Sequence, residues 1–279
     1  MTELKYKFTY DTLFKLLFVK YPDLLKRLVA AVLGIAPDSI TKFAITNPDI
    51  PPEIIGDKFC KLDINMTVCG QVVSLEVQVD DEGDYRERSL YYWARLYSSS
   101  LKAGQQYSTL PRVIIISILD FVMFDCEEYR SEFRLFEVNR HELLSDKLLM
   151  LYFELRKLPK NIDTKSELEL MLSLFRARTE DDLKQLERME VAIVTQAIGA
   201  YREVVVSPEF AELERLRADA RHNEASALAS VARKRDAHWQ GIVAKKDAAY
   251  TAELANKDAA LADKDAVIER LSAMLDFKQ

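Results

Sequence analysis

The chain has 279 residues, a formal net charge of −6 and a pI near 5.4. That balance excludes a protein that coats nucleic acid by bulk positive charge, and it confines any DNA contact to a few local Lys and Arg side chains. Three cysteines (Cys60, Cys69, Cys126) without CxxC spacing offer neither a disulfide framework nor a zinc site and point to a reducing, cytoplasmic compartment. The opening MTELKYKFTYD lacks an apolar signal core, and the longest apolar run, 113–119, is far too short to span a bilayer, so a soluble chain without membrane contact is expected.

Residues 12–33 place Leu13, Leu16, Leu17, Leu24, Leu28 and Val32 at helical spacing, interrupted near Tyr21-Pro22 and stopped by Gly34 and Pro37, which predicts two short helices. Residues 39–45 form a strand candidate, and the prolines of Asn47-Pro48-Asp49-Ile50-Pro51-Pro52 mark a loop. In residues 61–79, KLDINMTVCGQVVSLEVQV, apolar Leu62, Ile64, Met66 and Val68 alternate with Asp63, Asn65, Thr67 and Cys69, and Val73, Leu75, Val77 and Val79 repeat the period of two. This predicts a β-hairpin. With Gly70-Gln71 as a type II′ loop, position i pairs with 141 minus i, so Asp63 opposes Gln78, Asn65 opposes Glu76 and Thr67 opposes Ser74 on one polar face. Asp63 and Glu76 are then diagonal neighbours, roughly 5 to 8 Å apart at Cβ, close enough to share one hard cation. The same alternation is also what the solvated side of any half-exposed sheet shows.

Residues 84–105 carry Leu90, Tyr91, Trp93, Ala94, Leu96, Tyr97 and Leu101 on an amphipathic helix closed by Gly104, and 112–119 is a β-branched run expected of a strand buried on both faces. Residues 133–138 and 148–155 are further strand candidates, the second reading equally as helix. Residues 164–204 look helical, with Ser166 to Glu169 offering a capping box. After Pro208 the composition turns to Ala, Glu, Lys, Arg and Asp, with Gly241 the one glycine. Leu254, Leu261, Ile268 and Leu275 fall seven apart, but their companion heptad position is Lys257, Lys264 and then Leu271, which supports weak self-association at most. From residue 212 onward 12 Lys and Arg balance 12 Asp and Glu, so the net charge lies in the body and the tail is no polybasic arm. The expected organisation is a folded domain over 1–208, with its core at about 5–160 and a helical subregion at 164–204, followed by a helical tail over 209–279.

Asp63, followed thirteen residues later by Glu76-Val77-Gln78 on an apolar strand, resembles the D…(D/E)xK signature of the PD-(D/E)XK nuclease superfamily, with Gln where Lys usually stands. The helix opening Tyr10-Asp11-Thr12-Leu13-Phe14-Lys15-Leu16-Leu17-Phe18, the segment Arg88-Ser89-Leu90-Tyr91-Tyr92, and Leu110-Pro111-Arg112-Val113-Ile114-Ile115-Ile116 are similar to its bacterial transposase-like branch, which includes the recombination-promoting nucleases. The similarity covers about residues 5–200 and implies an α/β, restriction-endonuclease-like αβββαβ core with a C-terminal helical extension. It implies a divalent-metal-dependent DNA endonuclease in which Asp63, Glu76 and the main-chain carbonyl of Val77 hold Mg²⁺, with Mn²⁺ as a substitute. Gln78 takes the place of the lysine that orients the attacking water, and since an amide carries no charge, slower cleavage than in an ExK relative is expected. Asp11 and Lys15 lie one helical turn apart, which suits a surface ion pair equally well. If that helix lines the site, Asp11 adds a ligand through water and Lys15 restores the missing charge. Arg86, Arg88 and Tyr92 are candidates for phosphate and base contacts, against the plainer reading of core aromatics and surface arginines. His141, His222 and His238 show no paired spacing and read as surface residues. The alternative to an active enzyme is a nuclease-fold module that binds DNA or assembles through its C-terminal helix.

Overall fold

A computed structural model of the chain describes residues 2–46, 49–50, 60–61 and 63–276. The apolar spacing of the first segment folds as expected into α1 (Asp11–Lys20) and α2 (Pro22–Leu33), with Pro22 in the first turn of α2, where its missing N–H costs nothing. Gly34 ends α2 in the left-handed conformation at φ 67°, a position that favours a residue without Cβ. Strand β1 (Phe43–Thr46) follows, then the short pair β2 (Asp49–Ile50) and β3 (Cys60–Lys61), which sets a two-residue strand inside the stretch expected to be loop; its other residues, and Leu62, lie outside the described residues.

The hairpin is β4 (Ile64–Val68) and β5 (Gln71–Gln78), but its register is not the expected one. Val68 pairs with Gln71, Asn65 with Ser74 and Ile64 with Leu75, so the loop is Cys69-Gly70 and the pairing sum is 139 instead of 141. Both loop residues have positive φ, 49° and 82°, as a type I′ turn requires. A contact outside the hairpin favours this choice: the Cys69 N–H donates to the Lys42 carbonyl at 2.9 Å, continuing the ladder in which β1 pairs with β4. The shift is even, so every side chain keeps its face and only the partners change.

Helix α3 (Tyr85–Ser99) stops five residues before Gly104. The hydroxyls of Ser98, Ser99 and Ser100 bond back to the carbonyls of Arg95 and Leu96, the local competition that makes serine a poor helix continuer. Strand β6 (Val113–Leu119) is buried along its whole length, β7 (Arg130–Phe136) starts earlier than expected, and β8 (Leu143–Glu154) resolves the helix–strand ambiguity in favour of strand. The sheet order is β1-β4-β5-β6-β8-β7, with parallel pairs between β5 and β6 and between β6 and β8 and antiparallel pairs elsewhere. Helices α4 (Glu167–Arg176), α5 (Glu180–Glu187) and α6 (Ala192–Val205) complete the body. Ser166 caps α4 by accepting from the Glu169 N–H, but the Glu169 carboxylate turns to the Asp163 N–H instead; the reciprocal capping box is at Thr179 and Asp182 on α5.

Alternation along the strands divides the core. Val73, Leu75, Ile114, Ile116, Ile118, Leu149, Leu151 and Phe153 pack with α1, α2, α4 and α6, while Val113, Ile115, Leu119, Leu148, Met150 and Tyr152 pack with Tyr85 and Leu96 of α3. The compact unit runs from Met1 to Glu214, and Phe210, in the first turn of helix α7 (Pro208–Asp276), is buried within it. The second unit, Arg215–Gln279, is a continuous helix as far as Asp276, on which Leu254, Leu261 and Ile268 are exposed. No described helix is long and apolar enough to cross a membrane.

Candidate active site

Ladder pairing ends at Ile64 and Leu75, which sets Asp63 and Glu76 opposite one another one step beyond it, as direct neighbours and not diagonal ones. The Asp63 N–H donates to Glu76 Oε1 at 3.4 Å, and the Val77 N–H donates to Asp63 Oδ2 at 2.8 Å, so main-chain groups of the hairpin aim both carboxylates. Glu76 also accepts from the Ser74 hydroxyl at 2.6 Å.

The face that carries these acids is not solvated. Asn65, Ser74 and Glu76 are buried, as is Ser117, which stands beside Glu76 on β6. Helix α3 covers this layer: the Tyr85 hydroxyl donates to Ser117 Oγ at 2.8 Å, and Ser89 and Tyr152 share a hydrogen bond of 2.7 Å. These serines and tyrosines were not foreseen as part of the site. The available signal was Ser117 itself, a hydroxyl interrupting a β-branched run.

Burial with little compensation pushes the Glu76 carboxyl up to about 8, and the neighbouring Asp63 charge pushes in the same direction. Asp63 is also raised by burial, against which the Lys15 ammonium pulls. That ammonium reaches from α1 to 3.2 Å from Asp63 Oδ1 and 2.7 Å from Asp11 Oδ1. Burial alone would lower Lys15, but the two carboxylates outweigh it and hold the group above its ordinary value. The phenol of Tyr85 is driven well above its usual range, first by burial and then by the Glu76 charge.

The structure therefore brings Asp11, Lys15, Asp63 and Glu76 together. The Val77 side chain packs against the core that α1, α2, α4 and α6 share with the sheet, and its N–H serves Asp63. Gln78 turns to α3, where its Oε1 accepts from Arg88 Nη2 at 2.8 Å, while Arg88 Nη1 meets Glu82 Oε2 at 2.8 Å. Arg86 and Tyr92 make their contacts elsewhere on that helix: Arg86 donates to the Met123 carbonyl and lies 5.0 Å from the Phe124 ring centre, and Tyr92 packs against the α3-side core.

Among the described residues no group of three or more His, Cys, Asp or Glu side chains stands close enough to hold a metal ion. Two hard carboxylates, both raised by burial, fit a hard cation that completes its shell with carbonyl, water or phosphate oxygens, as Mg²⁺ does, and the pair lacks the Cys and His ligands of a structural zinc site.

A mixed six-stranded sheet with helices on both faces, and paired acids at the open end of its central hairpin, defines a PD-(D/E)XK-like α/β core. The chain belongs to that family: the model of the PD-(D/E)XK nuclease family transposases matches residues 8–231. No curated protein and no solved structure matches it. Membership implies a nuclease or transposase-related function with DNA as substrate, and nucleases of this family generally use divalent metals.

Proposed function

We propose that this protein is a divalent-metal-dependent endonuclease that hydrolyses phosphodiester bonds of DNA in recombination or transposition. The observation that carries the reading is the opposition of Asp63 and Glu76 across the hairpin, with Glu76 wholly buried and its carboxyl raised to about 8. Asp63, Glu76 and the main-chain carbonyl of Val77 would hold Mg²⁺ or Mn²⁺, with Asp11 contributing through water. When bound, such an ion supplies stabilisation of charge on phosphoryl oxygens and a lowered pKa for water. The chain's own groups do the rest. Lys15 keeps positive charge beside Asp63, where a phosphodiester would otherwise meet only acids, and Gln78 offers amide hydrogen bonds without charge. Arg86, Arg88 and Tyr92 are the candidates for phosphate and base contacts, and each would act from a held position: Arg86 on the Met123 carbonyl and the Phe124 ring, Arg88 on Gln78 and Glu82, and Tyr92 against the α3-side core. Residues 1–208 would form the nuclease domain. The tail, 209–279, would hold copies of the chain or a partner weakly through its exposed seam of Leu254, Leu261 and Ile268.

Plasmid nicking with Mg²⁺, Mn²⁺ or Ca²⁺ tests the reading on wild type, Asp63→Ala and Glu76→Ala. Wild type is expected to nick with Mg²⁺ or Mn²⁺ and both variants to lose the activity; equal trace nicking by all three would remove the enzyme. A second reading, a nuclease fold that binds or assembles without cutting, draws on the uncharged Gln78 and on the Lys15 ammonium that already neutralises Asp63.

A further inference from the structure

Position 78 carries an amide where a lysine is usual, and the structure shows what the amide is tied to. Arg88 is a donor only, so a guanidinium nitrogen 2.8 Å from the Gln78 side chain must face its oxygen; the O/N assignment follows from chemistry. Arg88 is itself held. Its Nη1 pairs with Glu82, its guanidinium lies 5.0 Å from the ring centre of Tyr85, and only 19% of its side chain is exposed. Tyr85 in turn bonds Ser117, the neighbour of Glu76 on β6. The Gln78 amide group therefore has its acceptor end committed to Arg88, which leaves its NH₂ as the end with hydrogens to donate.

We propose that Arg88 is a positioning residue that locks the Gln78 carboxamide as a donor and polarises it. A carbonyl oxygen accepting from a cation leaves the amide N–H groups more acidic and better donors, so the Gln78–Arg88 pair presents hydrogen to a phosphoryl oxygen or to the attacking water, as an ammonium would. The positive charge stays on α3, one residue removed from the chemistry. This inference rests on the nuclease reading above. It also reverses a simple expectation: lysine at position 78 would stand against the Arg88 guanidinium, so Gln78→Lys alone should not recover the rate of an ExK enzyme.

Steady-state nicking of supercoiled plasmid with Mg²⁺ tests it on the full-length chain, with Glu76→Ala as the control for the reading itself. Arg88→Met keeps an unbranched stem over Tyr85 and is expected to lower kcat about 10- to 100-fold, the range for losing a hydrogen bond to a charged group, with KM changing less. In a Gln78→Ala background the same change should have little further effect, whereas a merely structural loss would persist there. Gln78→Lys should be slow, and Gln78→Lys with Arg88→Met should be faster than either single variant. If Glu76→Ala nicks as well as wild type, the reading and this inference fall together. If Glu76→Ala is inactive while Arg88→Met matches wild type, or costs the same with and without Gln78, or Gln78→Lys alone equals the double variant, the reading stands and the role given to Arg88 is wrong.

Discussion

Replacing Glu76 by glutamine isolates the electrostatic cost of the acid pair. In the unfolded chain a glutamate loses its proton near 4.5; in the folded chain burial and Asp63 hold the Glu76 proton to about 8. Below pH 4.5 both states are protonated and the carboxyl adds no pH dependence. Between these values the unfolded state sheds its proton while the folded state keeps it, so each pH unit favours unfolding by ~1.36 kcal/mol; above about 8 both are ionised and the loss is constant. The full loss is on the order of 5 kcal/mol, a large part of the roughly 5 to 15 kcal/mol that stabilises an ordinary domain. Asp63, raised as well, adds to the decline. Glutamine keeps the shape and an oxygen that can accept from Ser74 and from the Asp63 N–H, but it does not ionise. Urea unfolding from pH 5 to 9 in EDTA, followed by tryptophan fluorescence, should show wild type losing stability steeply and Glu76→Gln much less. The two should be nearly equal at pH 5 and differ by several kcal/mol at pH 9. Mg²⁺ should restore wild type above pH 8 and leave the variant unchanged. Parallel pH curves for the two proteins would refute the assignment of a buried carboxyl at position 76 whose proton is held well above the ordinary range.

The ammonium of Lys15 competes with any cation for Asp63 Oδ1, so Lys15→Met should lower the Mg²⁺ concentration needed for half-maximal stabilisation while reducing nicking; a higher Mg²⁺ requirement would contradict the shared position. The hairpin turn makes a separate prediction. Gly70→Ala places a Cβ at φ 82° and should cost about 1 kcal/mol, whereas Cys69→Asn should gain a fraction of that, both read as shifts in thermal midpoint; the opposite signs would contradict the Cys69-Gly70 loop. At the end of β8, the buried Glu154 carboxylate accepts from the Met123 and Phe124 N–H groups and from Lys157 at 2.7 Å. Lys157→Met leaves that carboxylate with only its two N–H donors and should cost about 1 to 3 kcal/mol in urea unfolding at pH 7, while the double change with Glu154→Gln should recover much of the loss.

Local chemistry was enough to read most of the secondary structure. The 3.6-residue spacing of Leu13, Leu17, Leu24 and Leu28, the break at Pro22 and the β-branched run at 113–119 each act within a few residues, so they report the elements they form. The serines at 98–100, which end α3 ahead of Gly104, act just as locally but were outweighed by the glycine as a stop signal. The acids were legible for a different reason: the family pattern joins Asp63 to Glu76 across thirteen residues whatever the turn between them.

Register and environment were decided at longer range. Either two-residue loop satisfies the alternation of 61–79, and the contact that favours Cys69-Gly70 comes from Lys42, outside the hairpin. A polar side of a strand reads the same whether water or a helix covers it, so only the docking of α3 shows that Ser74, Glu76 and Ser117 are buried and that the Glu76 proton is held to about 8. Lys15 and Arg88 are an i,i+4 partner and a helix-surface arginine when read along the chain. Side chains from α1 and α3 meet the hairpin only after both helices pack on the sheet, and that packing sets the ammonium against Asp63 and the guanidinium against Gln78. Sequence alone singled out the acids Asp63 and Glu76 through their spacing; tertiary packing added the serines and tyrosines of α3 and the sheet around them and set the ionisation and partners of the whole group, because both depend on distances and burial that no local pattern encodes.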